Sequence, residues 1–117
     1  MSFKFENLEI WKLSRKFVTD IYRITRGFPK DELFGLTSQI RRAAISVALN
    51  IAEGSNRRSD AEFKRFLNIS RSSLDEVVTA LFIAKDQNFI NEENLKNFYS
   101  VADKLAAKIT ALTKKLN

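Results

Sequence analysis

Hydrophobic residues recur three and four apart along this chain, the period of a helix, and nowhere alternate in the strand pattern. The first run carries Ile10, Phe17, Ile21 and Ile24, with Leu13 beside them. Asn7 stands where an N-cap belongs and Gly27 where a C′ residue belongs, predicting a helix over about residues 8–26. Phe28 to Gly35 forms a connection, with Pro29 near its start and one helical turn around Asp31 to Phe34. Leu36, Ile40, Ala44, Val47 and Ile51 make the second stripe, a helix over about 37–53 that Gly54 stops.

Ser59-x-x-Glu62 reads as a capping box, in which serine and glutamate side chains satisfy each other's orphan amides. Phe63, Leu67, Ser70, Leu74, Val77, Leu81 and Ala84 then keep a heptad spacing, predicting a helix over about 60–87. After a break at Asn88 to Asn91, Asn91 caps a fourth helix over about 92–115. Glu92 and Glu93 sit in its first turn, where the dipole favours anions. Its seam is Leu95, Phe98, Ala102, Leu105, Ile109, Leu112 and Leu116. Four amphipathic segments with short links predict an all-α fold, an antiparallel up-down-up-down four-helix bundle forming one domain. At 1.5 Å per residue the third helix is ~40 Å long and outreaches the first two at ~28 Å.

The helices carry more apolar surface than one core needs. Ile45, Ala48, Leu49 and Ala52 widen the second stripe, Trp11, Val18 and Tyr22 the first, and Phe66, Ile69, Val78 and Phe82 the third. Such a surplus points to burial against further copies of the chain, a homo-oligomer. The alternative is a set of shoulder positions on wide stripes, since much of any folded surface is apolar. Gln39, Ser46, Asn50 and Glu53 fall on one narrow polar line of the second helix. That line is a buried hydrogen-bonded seam, a subunit contact or a ligand site.

Composition removes most chemistry. The 117 residues include no Cys and no His, which excludes thiolate nucleophiles, imidazole bases and the usual zinc sites. The three glycines stand alone at helix ends, so there is no phosphate-binding glycine loop. Glu53, Glu62 and Glu76 are the remaining inward-carboxylate candidates, each with a simpler role in pairing or capping. The expectation is therefore a protein that is not an enzyme and has no cofactor or metal. The opening MSFKFENLEIW lacks the apolar core of a signal peptide, and the most apolar stretch, Ala43 to Ala52, is about half a membrane span. Together they imply a cytoplasmic protein without a membrane partner.

Charge supplies the remaining signal. The 20 Lys+Arg outnumber the 14 Asp+Glu, and the whole +6 excess lies in residues 1–72. Lys12, Arg15, Lys16, Arg23 and Arg26 share about 100° of arc on the first helix. Arg41 and Arg42 follow on the second, and Arg57 and Arg58 lie just past its end. Guanidinium forks grip phosphates through paired hydrogen bonds, and an oligomer multiplies such contacts. RNA or DNA contact through Arg15, Lys16, Arg23, Arg41, Arg42, Arg57 and Arg58, with little sequence preference, is the leading reading. The plainer reading is a solvated face paired locally with Asp20, Asp31, Glu53 and Asp60. A rival function is an adaptor that binds a protein partner and no nucleic acid.

The segments FENLEIW, ITRGFPKDELFGLTSQIRRAAISVALNIAEG and RRSDAEFKRFLNISRSSLDE resemble four-helix-bundle proteins encoded within intervening sequences of bacterial 23S rRNA genes. That resemblance implies a bacterial cytoplasmic bundle assembling as a ring-like homo-oligomer, a pentamer, with no catalytic residue. More distantly it is similar to the accessory protein of diversity-generating retroelements, a basic pentamer associated with nucleic acid and a reverse transcriptase. The family's marked positions correspond here to Gln39, Arg41, Arg42, Ser46, Asn50, Glu53 and Gly54. Ala48 replaces a common proline, and Ser70 and Ser72 replace the usual small residues of the third helix.

Overall fold

A computed structural model describes residues 2–117. Its four helices are α1 (Glu9–Thr25), α2 (Leu36–Ser55), α3 (Asp60–Asp86) and α4 (Glu92–Lys115), with no strand among the described residues. Short 3-10 turns precede α1 at Lys4–Asn7 and α2 at Lys30–Glu32. The helices contact one another in cyclic order, α1 on α2, α2 on α3, α3 on α4 and α4 on α1. Among the described residues no diagonal pair meets. This is an antiparallel four-helix bundle. Its long axis is 43 Å, so α3 alone, at ~40 Å, spans nearly all of it.

The core is the one the stripes predict. Phe17, Ile21, Ile40, Val47, Ile51, Leu67, Leu74, Val77, Leu81, Leu105 and Ile109 are fully buried, and Phe17 meets Phe98 edge-on across α1 and α4 at 6.2 Å. Two hydroxyls share that core on α1 without being orphaned. Ser14 donates to the Trp11 carbonyl and Thr25 to the Ile21 carbonyl, so each satisfies itself within its own helix.

The helix ends depart from expectation at Asn7, at the Ser59–Glu62 box and at Gly54, while Gly27 and Asn91 hold the positions expected of them. Asn7 is not the N-cap of α1: Leu8 is, with no side-chain bond, because Asn7 closes the preceding 3-10 turn. Gly27 occupies the C′ position of α1 without a positive φ, so its achirality is not used there. The α3 box is half formed. Ser59 Oγ accepts from the Glu62 amide at 3.2 Å, but the Glu62 carboxylate turns to Arg65 Nε at 3.0 Å. The complete box is at α4, where Asn91 and Asn94 exchange side-chain and backbone bonds.

Gly54 does not stop α2, which continues to Ser55. It is buried against α3, and a Cβ there would lie 2.6 Å from Phe66 Cβ and 3.0 Å from Phe63 Cδ1. Gly54 therefore allows close backbone approach and does not act as a terminator. Among the described residues the left-handed one is Asn88, at φ 65°. It closes α3 in a Schellman turn: Phe89 N donates to Ala84 O at 2.9 Å and Asn88 N to Lys85 O at 3.0 Å. Phe89 is thereby placed 5.5 Å from Phe28, tying the two loops at that end of the bundle.

Candidate nucleic-acid interface

The buried face of α1 runs through Ile10, Ser14, Phe17, Ile21 and Thr25. At 100° per residue, Lys12, Arg15, Lys16, Arg23 and Arg26 lie on the opposite side, and all five are exposed. Sequence order alone places them there, because the core fixes which way the helix faces. Arg15 rests 5.6 Å from the Trp11 ring centroid, and Phe5 tilts onto Trp11 at 4.8 Å. Lys16 and Arg23 both reach Asp20, at 3.0 and 3.2 Å. Asp20 thus offsets part of the charge of two cations that remain 75% and 69% exposed. Exposed pairs of this kind hold their partners by about 0–1 kcal/mol, little enough to exchange a carboxylate for a phosphate.

Adjacent arginines diverge on α2. Arg41 lies in the junction with α1, where its Nε donates to Thr25 Oγ1 at 2.8 Å and its guanidinium stacks 4.5 Å from the Tyr22 centroid. It is half-buried and joins two helices. Arg42, one residue and about 100° further round, is exposed. In the α2–α3 link, Arg57 bonds Glu53 at 2.8 Å and stacks on Phe66 at 4.6 Å, with Arg65 also on that ring at 4.7 Å. Arg58 is exposed. Among the described residues Arg15, Arg42 and Arg58 make no ion pair.

One pair shifts an ionisation. The hydrogen bond from Arg65, and then its charge, hold Glu62 below the usual glutamate value, and Glu62 raises Arg65 in turn. Both groups are solvated, so the pair orders the first turn of α3 and does not form a buried centre.

The antiparallel topology separates the seven arginine and lysine positions. Arg57 and Arg58 follow the C-terminus of α2, at the end where Phe3 and Phe5 approach Leu49 and Ala52. Arg23 and Arg41 lie towards the other end, joined through the Tyr22–Thr25 turn. No single patch of one chain collects them all.

The polar line of α2 also divides. Asn50 Nδ2 donates to the Ser46 carbonyl and hydroxyl, and Ser46 Oγ shares a hydrogen bond of 2.8 Å with Ser73 Oγ of α3. Beside it the fully buried Ser70 donates to Val47 O at 2.8 Å. These residues form an interhelical seam, and Ser70 makes a bond where the expected small residues make none. Gln39 and Glu53 are exposed and outside it.

The profile of the 23S rRNA-intervening sequence protein family matches residues 6–111. The chain belongs to that family. A crystal structure of a protein of unknown function from the S23 ribosomal protein family of Bacteroides thetaiotaomicron superposes with TM-score 0.83 at 21% identity. The match covers 90% of this chain and 98% of that one. No curated protein matches the sequence. As in the resemblance, this 23S rRNA-intervening sequence family chain is all-helical. None of its described helices is long and apolar enough to cross a membrane. No group of three acidic, His or Cys side chains able to hold a metal occurs among the described residues.

Sequence reasoning missed two features here. The Glu32 carboxylate accepts from the Leu36 amide at 3.0 Å, capping α2 from the preceding 3-10 turn, four residues before the bonded amide. The ring of Phe34 is 94% exposed. Its place in a connection next to glycine was the available signal, because loop aromatics have no helical face to be drawn into.

Proposed function

We propose that this is a non-enzymatic bundle of the bacterial cytoplasm that assembles as a homo-oligomer, a pentamer, and binds RNA or DNA with low sequence specificity. The supporting observation is the outward basic face of α1, opposite a buried face that cannot rotate away. Arg15 on that face, Arg42 on α2 and Arg58 in the α2–α3 link, which make no ion pair among the described residues, are the first phosphate ligands. Lys16, Arg23 and Arg57 are exchangeable ones that leave Asp20 or Glu53 for a polyanion. Arg41, engaged with Thr25 and Tyr22, serves mainly to hold α1 on α2. Since the cations are dispersed on one chain, several copies are what would bring enough of them along one backbone. The family's name, with its 23S rRNA intervening sequence, agrees with a nucleic-acid setting.

A mobility-shift titration against structured RNA tests this. Affinity should fall steeply with salt, and Arg15→Ala, Arg42→Ala and Arg58→Ala should each reduce the log–log slope by about 1. Arg41→Ala should lower the melting temperature more than it changes the slope. Salt-independent affinity, or no binding at micromolar protein, would refute the reading.

The adaptor alternative draws on a different observation. Leu49, Phe82 and Tyr99 are 60%, 46% and 49% exposed, apolar area that a protein partner would cover. Recovery of one protein partner by pull-down after nuclease treatment would favour it.

A further inference from the structure

Two opposite faces of the bundle are complementary in both hydrophobicity and charge. Helices α1 and α4 make the thinnest of the four helix contacts, and a groove of about 470 Å³ opens between them. Phe17 forms its floor, and Ile24, Phe98 and the 45% exposed Val101 line it. The groove continues along the helices past Lys16, Lys104 and Lys108. Asp20 pairs with Lys16 and Arg23 and Glu9 pairs with Lys108 at 3.2 Å, so four cations meet two acids and the rim keeps a net positive charge.

Across the bundle, the start of α2 and the end of α3 present the converse. Leu36, Ala80 and the 45% exposed Ile83 form an apolar surface beside Glu76 and Asp75, the latter paired with Arg71 of its own helix. Just ahead of Leu36, Leu33 and Phe34 are 50% and 94% exposed, and Asp31 and Glu32 precede them. A phenyl ring so exposed gains nothing from its own chain and stands ready to be buried elsewhere.

We infer that the Phe34 end of the α2–α3 face of one copy docks into the α1–α4 groove of the next. The occupant is a second copy of this chain, because the groove's cationic rim and apolar floor match the acidic, apolar knob of the same sequence. The two surfaces lie on opposite sides of the bundle, so the contact is heterologous: each copy offers a knob on one side and a groove on the other. Such a contact closes into a ring or runs on as a filament, and cannot stop at a symmetric dimer. This rests on the homo-oligomer reading above and specifies the surfaces that build it.

Two measurements test it. Wild-type mass in solution is measured first, then that of Phe34→Ser, with helical circular dichroism as the folding control. Phe34 is outside the core, so the variant should remain folded while its subunit dissociation constant rises roughly 10- to 100-fold, the value of burying one phenyl ring. The second uses the absence of native cysteine. A tagged Val101→Cys chain and an untagged Phe34→Cys chain are mixed and treated with a short bismaleimide. The expected product is the mixed dimer, with little from either variant alone. A monomeric wild type would overturn both the oligomer reading and this contact. An oligomeric wild type whose mass Phe34→Ser leaves unchanged, or Phe34→Cys chains that link to each other, would overturn the contact and leave the oligomer standing.

Discussion

Replacing Gly54 with alanine should force α2 and α3 apart where Gly54 meets Phe63 and Phe66. The added Cβ would sit 2.6 Å from Phe66 Cβ, an atom fixed to its backbone, and 3.0 Å from the Phe63 ring. The ring can give by a few tenths of an ångström, but Phe66 Cβ can move only with α3. Phe66 is itself held between the guanidiniums of Arg57 and Arg65, so its displacement would disturb both stacks. Overpacking of this kind costs about 1–3 kcal/mol, while alanine in place of glycine inside a helix returns about 1 kcal/mol. Because the 2.6 Å clash is with an atom fixed to the backbone, the cost belongs in the upper part of that range, about 2–3 kcal/mol. A net loss of about 1–2 kcal/mol, or ~4–8 °C in melting temperature for a chain of this size, is therefore expected. The assay is urea unfolding followed by circular dichroism at one fixed protein concentration, since assembly would add to apparent stability. Phe63→Ala is destabilising in its own right, but in that background the further loss from Gly54→Ala should be smaller, because the new methyl then has room on that side. If Gly54 served only to end the helix, alanine would be neutral or stabilising. A Gly54→Ala midpoint equal to or above wild type would refute the packing argument.

Asn88 should respond in the opposite sense. Asn88→Gly should keep or raise stability by up to about 1 kcal/mol, and Asn88→Val should lose about 1–2 kcal/mol, both read as shifts in urea midpoint. Ser70→Ala should cost about 0.5–1.5 kcal/mol by removing the bond to Val47 O, measured in the same way. Asn91→Ala should cost about 1 kcal/mol and increase amide exchange in the first turn of α4. The depressed Glu62 stabilises the fold above its unfolded value near 4.3 and loses that contribution as pH falls through its lower folded value. The stability difference between wild type and Glu62→Gln should therefore be present at pH 6 and shrink towards zero in strong acid, as followed by unfolding at several pH values.

The four helices were legible because their causes are local. A 3.6-residue hydrophobic period fixes the buried face of each segment, and Asn91 and Ser59 mark two starts through short-range hydrogen bonds. The outward basic face of α1 followed from the same period, since charges opposite a core stripe have nowhere else to point. What lay beyond the sequence was which neighbour each side position meets. Arg41 and Arg42 are consecutive and chemically identical, yet packing of α1 on α2 gives one to Tyr22 and Thr25 and leaves the other in water. Ser46 and Asn50 became a seam with Ser73 while Gln39 and Glu53, on the same line, stayed outside it. Gly54 read as a stop because glycine commonly ends helices; its use as a contact point depends on two phenylalanines of the next helix. The α1–α4 groove, likewise, exists only because the bundle closes most loosely between its first and last helices. Local periodicity determines the elements and their inward faces. The helix pairing, set by contacts between residues distant in sequence, decides which polar and apolar groups remain available to a partner.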